Sequence, residues 1–311
     1  MGGVGQSAAG LRRVGMVGVG RMGRAIAARL AERGHAVYLH DARPEALAAD
    51  PIAGATVVDR ATALRAEVVV TMVPDDAAVA SVWLEPSDAL VALRDDAVHV
   101  CMSSISYPLG RRLAAAHSAA GRAYVAAPLF GRPPLAQRGE LDVIVAGHAE
   151  AIERCGSVFA DIGRQVFTVG TAPEQANLVK IARNFLVAST IESLGEAIGL
   201  CGRAGMDTGR FLQVLLATSL GSPAVRYYGE YCVNRSTETL LPMHLGLKDV
   251  SLALDAAAEL DLPMPNGDLL ADRMREAIAE GWGERDWAAL AEWIGSRRRS
   301  RAAGGEGGRE A

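Results

Sequence analysis

The chain has 311 residues, of which 50% are hydrophobic and 22% are charged, which is enough for a large core and, at the usual domain size, about two domains. Its formal net charge of -4 gives no electrostatic reason to expect nucleic acid or an anionic membrane as a partner, so we expect a small-molecule ligand. The start has no signal peptide pattern, no apolar span looks long enough for a bilayer, and the scattered cysteines and histidines have no metal-ligand spacing, so we expect a cytoplasmic protein without a metal.

The first half of the chain alternates strand and helix patterns. After a Gly- and Ala-rich leader, residues 1–12, which we expect to be disordered, "RRVGMVGVG" predicts a strand and "RMGRAIAARLAERGH" a helix that ends at Gly34. A second strand closes at Asp41, and a helix starts near Pro44. Strands are further predicted at "AEVVVTMVP", "DAVHVCMSS", "RAYVAAPLFGRPP", "LDVIVAG" and "RQVFTVG". Residues 13–171 are therefore predicted to form a doubly wound parallel α/β domain.

The second half is predicted to be all-helical. The stretch "PEQANLVKIARNFLVASTIESLGEAIGLCGRAG" reads as one long helix that joins the two domains, and "MHLGLKDVSLALDAAAELDL" and "NGDLLADRMREAIAEG" have apolar residues at helical spacing. We assign residues 172–296 to this helical domain. The charged, glycine-rich tail, residues 297–311, is expected to be a disordered end and not a nucleic-acid site.

A glycine-rich turn after the first strand predicts a dinucleotide site. "GVGRMG" has the spacing GxGxxG and comprises Gly18, Val19, Gly20, Arg21, Met22 and Gly23. It follows a strand, opens a helix, and is followed by Asp41 at the end of the next strand, where an acid meets the adenosine ribose. The Asp41 carboxylate favours NAD, while Arg43 could instead accept the phosphate of NADP, so we expect NAD in preference to NADP.

Three polar residues share one face of the long helix. Asn177, Lys180 and Asn184 are three, four and seven positions apart, so they project from the same side. Such a face is either only solvated or holds a catalyst.

Taken in order, these motifs resemble the 3-hydroxyisobutyrate dehydrogenase family, also called the beta-hydroxyacid dehydrogenases. The likeness runs from about Val14 to Ile294, and the matching stretches are "VGMVGVGRMG", "TMVPDDAAV", "SSIS", "APLFGRP", "NLVKIARN", "GLKDVSLALDAAAEL" and "GERDWAALAEW". The resemblance implies a Rossmann domain and a helical domain with the active site between them. It also implies a small carboxylate as substrate. A homodimer or homotetramer through the helical domain is plausible.

The resemblance also implies roles for single residues. Val73 and Pro74 would line the cofactor, and Ser104 would contact the nicotinamide side and the substrate carboxylate, unless the serines after this strand only begin a turn. Lys180 would be the catalytic lysine and Asn184 would orient the substrate. In "GLKD", Lys248 would reach the cofactor from the second domain.

Departures from the family pattern leave the substrate open. Relatives commonly carry a small residue and two glycines after "AP", whose amides hold the substrate carboxylate, but this chain has Phe130, Gly131 and Arg132 there. Arg132 could bind a carboxylate bidentately or could be a structural loop residue. Asn177 is a candidate substrate contact that could instead brace the helix.

The expected chemistry is hydride transfer with one proton moved by a side chain. The Lys180 ammonium would give its proton to a carbonyl oxygen during reduction and take it back during oxidation, which requires its pKa to fall from about 10.4 toward 7 or 8. An imine or biosynthetic-intermediate reductase is one alternative, motivated by "FGRP", although imine reductases typically replace the lysine. A non-catalytic dinucleotide-binding scaffold is the other.

Overall fold

The computed structural model describes residues 10–85 and 88–297. The predicted leader lies outside the described residues up to residue 9, and the predicted tail lies outside them from residue 298 onward. The described strands are β1 (Arg13–Val17), β2 (Ala36–His40), β3 (Ala55–Val57), β4 (Val68–Thr71), β5 (Val98–Cys101), β6 (Ala123–Ala126), β7 (Leu129–Phe130), β8 (Leu141–Gly147) and β9 (Gly163–Gly170).

Helices connect these strands and then make up most of the rest of the described chain. They are α1 (Arg21–Glu32), α2 (Pro44–Ala49), α3 (Arg60–Leu64), α4 (Asp76–Trp83), α5 (Asp88–Ala92), α6 (Tyr107–Ala119), α7 (Pro133–Arg138), α8 (Ala149–Arg154), α9 (Gly156–Ile162), α10 (Glu174–Arg203), α11 (Thr208–Ala217), α12 (Pro223–Val233), α13 (Met243–Glu259), α14 (Pro265–Ala277) and α15 (Ala289–Ser296), with a π-helical turn at Ile278–Trp282.

The strands form one sheet in the order β3-β2-β1-β4-β5-β6-β8-β7, and β9 pairs with β8. The pairs from β3 to β6 are parallel, whereas β8 is antiparallel to β6 and β7 and parallel to β9. The predicted doubly wound sheet is confirmed. Its antiparallel β8 was not predicted, because an apolar run has the same composition in either direction. The strand order reverses between β1 and β4, which is where such sheets bind ligands.

Both faces of the sheet are buried, as the continuous apolar runs predict. Along β4, Val68 and Val70 belong to one hydrophobic cluster and Val69 to the other. Along β5, Val100 and Cys101 are divided in the same way. Successive side chains of a strand point to opposite faces, so helices must cover both sides of this sheet.

The contacts of the chain divide it into two units, each described here by itself. The first comprises the described residues up to Asn184 together with Leu252–Pro263, and the second comprises Phe185–Ser251 and the described residues from Met264. The division falls inside α10, inside α13 and in the connection between α13 and α14. The boundary at residues 171 and 172 stays a prediction.

Small residues set the packing of α10 on α15 in the second unit. A Cβ added at Gly195 would stand 2.6 Å from the Cα of Ala291, and one added at Gly199 would stand 2.9 Å from the Cα of Gly295. Neither distance is possible for a real Cβ. The two helices therefore approach backbone to backbone, and this contact requires glycine at both positions of α10.

Helix α10 bears on the expectation that no apolar span is long enough to cross a bilayer. Among the described residues it is the one helix that is long and apolar enough to cross a membrane, with a mean hydropathy of 1.3 in its most apolar window. These two measures do not separate a membrane span from the central helix of a folded protein, and 39% of that window is buried. The finding is therefore weak evidence for a membrane.

Candidate active site

The glycine-rich turn between β1 and α1 has three glycines with three different environments. Gly18 has a φ of 91°, and a Cβ there would lie 2.4 Å from the carbonyl oxygen of Met72. A Cβ at Gly23 would lie 2.3 Å from the carbonyl oxygen of Gly18, so α1 can pack on the turn only without one. A Cβ at Gly20 would have no heavy atom within 4 Å. The space beside Gly20 and the first amides of α1 fit a pyrophosphate.

Asp41 is fixed beside this turn at the end of β2. One carboxylate oxygen accepts a hydrogen bond from the amide of Val19 at 2.7 Å, and the other accepts one from the amide of Arg43 at 2.9 Å. The Arg43 side chain is 75% exposed, and its Nε lies 4.0 Å from the Asp41 carboxylate. The residues here fit a dinucleotide whose ribose hydroxyls donate to this carboxylate.

Hydrogen bonds tie the loop after β4 to the loop after β5. The amide of Val73 donates to Oγ of the buried Ser103 at 2.8 Å. The carboxylate of Asp76 accepts a hydrogen bond from the amide of Ser106 at 2.9 Å and another from its hydroxyl. The predicted cofactor contacts Val73 and Ser104 therefore lie on two loops that hold each other in place at the carboxyl ends of neighbouring parallel strands.

Lys180, on the second turn of α10, reaches the short strand β7. Its ammonium donates a hydrogen bond to the carbonyl oxygen of Leu129 at 2.8 Å. The same nitrogen lies 5.1 Å from the ring centroid of Phe130. Strand β7 pairs antiparallel with β8, and this pairing fixes the carbonyl that orients the lysine. The lysine is half-buried.

Arg183 and Asn184 lie one helical turn further along the same helix. The guanidinium carbon of Arg183 is 4.9 Å from the Phe130 ring centroid, so two cations approach one aromatic ring. Arg183 also donates a hydrogen bond from Nη1 to the side-chain oxygen of Asn184 at 3.3 Å. The sequence did not single out Arg183. Its signal was its position three residues after Lys180, which places both on one side of a helix.

Asn177, the third polar residue of the predicted face, is buried away from solvent. It is 1% exposed, and its amide oxygen and nitrogen have no hydrogen-bond partner among the described residues. Its oxygen lies against α6, where a Cβ added at Gly110 would stand 2.7 Å from it. Its predicted substrate contact stays a prediction.

The loop after β7 keeps one glycine for a clear reason. Gly131 has a φ of 138°, and a Cβ there would lie 2.5 Å from the Leu141 side chain. Arg132 follows in extended conformation as the residue before α7. The sequence left Arg132 between carboxylate binding and a structural role, and that choice stays open.

Lys248 belongs to the second unit, on α13. Its ammonium lies 4.0 Å from the Asp249 carboxylate. Its contact with the cofactor stays a prediction. Among residues 10–85 and 88–297 there is no group of three or more His, Cys, Asp or Glu side chains that could hold a metal ion.

A chain of buried side chains crosses the interior of the first unit. The Trp83 indole donates to Thr71 Oγ1 at 2.8 Å, and this oxygen lies 3.0 Å from Nε2 of His99. His99 Nδ1 lies 2.9 Å from Nε2 of His117, whose Nδ1 lies 2.7 Å from the Leu113 carbonyl oxygen. Burial lowers the pKa of His99 well below its usual value and that of His117 to about 4.

The neutral state of both histidines fixes the direction of these hydrogen bonds. The Leu113 carbonyl can only accept, so His117 carries its proton on Nδ1 and accepts at Nε2. His99 must then donate from Nδ1 and accept at Nε2 from the Thr71 hydroxyl. Each member has its partner, so this cluster has no free group to offer a substrate.

Two family models match the chain in the same order as the two predicted domains. The NAD binding domain of 6-phosphogluconate dehydrogenase matches residues 13–170, and the NAD-binding domain of NADP-dependent 3-hydroxyisobutyrate dehydrogenase matches residues 175–294.

Individual relatives extend over nearly the whole chain. An uncharacterized oxidoreductase of Bacillus subtilis, YfjR, is 33% identical and is matched over 91% of this chain and 99% of its own. The 2-hydroxy-3-oxopropionate reductase of Escherichia coli is 29% identical, over 89% of this chain and 95% of its own. The structure of the Mycobacterium tuberculosis 3-hydroxyisobutyrate dehydrogenase with L-serine has a TM-score of 0.84 at 23% identity, covering 92% of this chain and 99% of that chain.

Proposed function

The chain belongs to the 3-hydroxyisobutyrate dehydrogenase family, and from that membership we propose that it interconverts a small beta- or gamma-hydroxy carboxylate and its semialdehyde or keto form. It is an NAD(P)-dependent dehydrogenase or reductase. Lys180 is the proposed general acid and base, and Asn184 the proposed substrate-orienting residue.

The hydrogen bond from Lys180 to the Leu129 carbonyl is the observation that carries this proposal. The Leu129 carbonyl oxygen accepts from the ammonium at 2.8 Å and so fixes the direction in which the half-buried side chain reaches. The ammonium is thus held beside Phe130, one of the proposed substrate contacts. A general acid needs this arrangement, since the proton must be aimed but still transferable.

The use of lysine in the chain supports the same conclusion. The sequence contains 32 lysines and arginines together, and only Lys180 and Lys248 are lysines. Arginine serves as the ordinary surface cation everywhere else, and arginine cannot give up its proton in a protein. The position that needs a transferable proton is one of the two at which the chain uses lysine.

The cofactor is NAD or NADP, and its proposed contacts are the turn residues Gly18 to Gly23, Asp41, Val73, Pro74, Ser104 and Lys248. When bound, it supplies or accepts the hydride. Asp41 favours NAD, because a carboxylate already fixed by two backbone amides can accept from ribose hydroxyls but repels a ribose phosphate.

The proton step uses this chain's own residues. In the reducing direction, the Lys180 N–H bond breaks as the carbonyl oxygen of the substrate takes the proton, and the product is the alcohol. In the oxidising direction, the neutral amine takes the hydroxyl proton. Asn184 orients the substrate oxygen, and Ser104 is the proposed contact for the nicotinamide side and the substrate carboxylate. Phe130, Gly131 and Arg132 remain proposed substrate contacts, and of the two alternatives for Asn177 we propose that it braces the helix, because it is buried.

The setting of the enzyme is also proposed. We propose a cytoplasmic homodimer or homotetramer that acts on free small molecules of the kind that the relatives' names give as substrates. The division into a cofactor domain, residues 13–171, and a helical domain, residues 172–296, belongs to the same proposal.

Turnover by lysine variants tests the proposal. Succinic semialdehyde, glyoxylate, 3-hydroxyisobutyrate and a cyclic imine are assayed with NAD(H) and NADP(H), following nicotinamide absorbance. We expect Lys180→Ala and Lys180→Arg both to lower kcat about a hundredfold or more, since arginine keeps the charge but not the transferable proton.

A matched variant, Lys248→Arg, separates the two lysines. Arginine keeps the positive charge, which is all that the proposed cofactor contact of residue 248 needs. The kcat of this variant should therefore stay at the wild-type value, and any change should be confined to cofactor affinity. Full activity of Lys180→Arg would remove the general-acid role. Turnover of the imine alone would favour the imine reductase, and cofactor binding without turnover of any compound would favour the scaffold.

A further inference from the structure

We propose that Arg183 is the anchor for the anionic group of the substrate, so that the enzyme selects aldehyde acids over uncharged aldehydes by this one residue. The inference rests on the proposed function and adds the substrate class to it: a short aldehyde or ketone that carries a carboxylate, or a sulfonate of similar size, within a few bonds of the reacting carbonyl.

The position of Arg183 relative to Lys180 is the first support. Residues three apart on a helix are surface neighbours, with about 5–6 Å between their Cβ atoms. Both side chains approach the same ring, Phe130, at 5.1 Å for the lysine nitrogen and 4.9 Å for the guanidinium carbon. A three- or four-carbon substrate can therefore place its carbonyl oxygen at the lysine and its anion at the arginine.

The second support is that the guanidinium is held in place but not neutralised. The Phe130 ring holds it by cation–π attraction, and Nη1 donates to the side-chain oxygen of Asn184 at 3.3 Å. Within residues 10–85 and 88–297, Arg183 has no carboxylate partner, and its side chain is exposed. A guanidinium with five donors, of which one is used here, can still bind a carboxylate bidentately.

The change at residue 130 explains why an arginine is needed. A family member with two glycines after "AP" can bind the carboxylate with backbone amides, but this chain has Phe130 and only Gly131 there. Arg132 stands in place of the second glycine, and the Phe130 ring provides the platform for Arg183. The substitution of the loop and the presence of the arginine are thus two parts of one site.

A matched pair of aldehydes tests the inference. Succinic semialdehyde and butanal differ in whether the chain ends in a carboxylate or a methyl group. We expect Arg183→Gln to lower kcat/KM for succinic semialdehyde by about 10- to 100-fold, mainly through KM, and to leave kcat/KM for butanal within about threefold. Arg183→Lys keeps the charge but loses the fork, so partial recovery is expected.

Two further arginine variants serve as comparisons. Arg112→Gln removes an exposed arginine from α6 and should leave the preference for the anionic aldehyde unchanged. Arg132→Gln tests the other candidate anchor. If Arg183→Gln keeps the wild-type preference, or if Arg132→Gln loses it instead, the inference is wrong. Thermal unfolding midpoints within a few degrees of wild type establish that the variants are folded.

A binding measurement separates failure of the inference from failure of the proposed function. Succinate is titrated by calorimetry into the protein saturated with NAD+. Turnover of aldehyde acids by the wild type with unchanged succinate affinity in Arg183→Gln refutes the anchor and leaves the function standing. No turnover by the wild type, with succinate binding that Arg183→Gln weakens at least tenfold, refutes the function and supports the anchor. A wild type that neither reacts nor binds succinate refutes both.

Discussion

Two sets of polar side chains in the first unit differ in how completely they are satisfied. His99, on β5, and His117, on α6, are fully buried, and each makes two hydrogen bonds within one series of buried side chains. Asn177, Lys180 and Asn184 lie on one helix, and Asn177 has no partner among the described residues. In the first set both ring nitrogens of each histidine have a partner, whereas the second set contains a buried amide, that of Asn177, without one among the described residues.

In this protein the residue type that most often acts as general acid and base, histidine, has a structural role. Histidine is the commonest general acid and base, yet a buried imidazole whose two nitrogens are both engaged cannot exchange a proton with a substrate. The lysine, half-buried and hydrogen-bonded to the Leu129 carbonyl beside Phe130, is the proposed proton donor instead. We therefore expect changes in the histidine chain to alter stability and changes at Lys180 and Arg183 to alter kinetics.

The largest expected effect on stability is that of His99→Leu. It leaves the Thr71 hydroxyl hydrogen without an acceptor and His117 Nε2 without a donor, and it removes the stack with Trp83, whose ring centroid is 3.7 Å from that of His99. We expect a loss of about 4 kcal/mol in the free energy of unfolding, measured by urea denaturation. The exposed His148, changed to Leu, is the control and should cost under about 0.5 kcal/mol.

Kinetics of the folded fraction decide whether this comparison holds. The kcat of His99→Leu should stay within about threefold of wild type, because the histidine contacts no reacting atom. A hundredfold loss of kcat in a sample that is shown to be folded would break the comparison and place the histidine chain in the catalytic machinery.

Acid should destabilise the protein by protonating the buried histidines. The folded pKa of His117 is lowered to about 4 from 6.5, so between these values the unfolded state binds more protons. Stability is therefore complete above pH 6.5 and is lost as the pH falls toward 4, by roughly 3 kcal/mol from His117 alone.

The double variant His99→Leu/His117→Leu separates this effect from that of the carboxylates. Its unfolding free energy should decline less steeply between pH 6.5 and 4 than that of the wild type. An equal slope in both proteins would mean that the histidines are not the groups that couple stability to acid.

Glu192, in the second unit, is a buried acidic side chain that contrasts with the two histidines. Its pKa is shifted upward, whereas theirs are shifted downward. It is 5% exposed, neither carboxylate oxygen has a partner among the described residues, and burial raises its pKa to about 7. Between pH 4.5 and 7 the folded state binds more protons, so stability falls as the pH rises through this window. Glu192→Gln should raise the unfolding free energy at pH 8 by about 2 kcal/mol relative to wild type.

The comparison variant for Glu192 is Glu196→Gln, one turn along α10 and exposed. It should change stability by less than about 0.5 kcal/mol at either pH. If Glu192→Gln gains nothing at pH 8, then the carboxylate is paired in solution, and the proposed distinction between satisfied and unsatisfied groups does not extend to this unit.

The sequence predicted the fold well where patterns have a physical period. The apolar runs of β4 and β5, the glycine turn and the helical spacing around Lys180 each correspond to one local geometry, so each was recognisable. Strand direction and partners across the chain have no such local signal. The antiparallel β8, the hydrogen bond from Lys180 to Leu129 and the contact of Arg183 with Phe130 join residues distant in sequence and could not be read from it.

For Asn177, helical spacing predicts a position beside the proposed catalytic lysine, whereas the structure shows a buried side chain. Among the substitutions predicted to change stability, that of Asn177 has the smallest expected effect. The spacing puts it beside Lys180, but it is 1% exposed against Gly110. An unpaired buried amide costs free energy that an apolar side chain of similar shape does not. We therefore expect Asn177→Leu to raise the unfolding free energy by about 1 kcal/mol with kcat and KM unchanged.

The opposite result would be equally informative. If Asn177→Leu leaves stability unaltered and raises the KM for an aldehyde acid, then the amide contacts substrate, as the spacing of the sequence predicted. The helix face from Asn177 to Asn184 would then be one continuous binding surface, and burial in the structure described here would not determine which of its polar groups act.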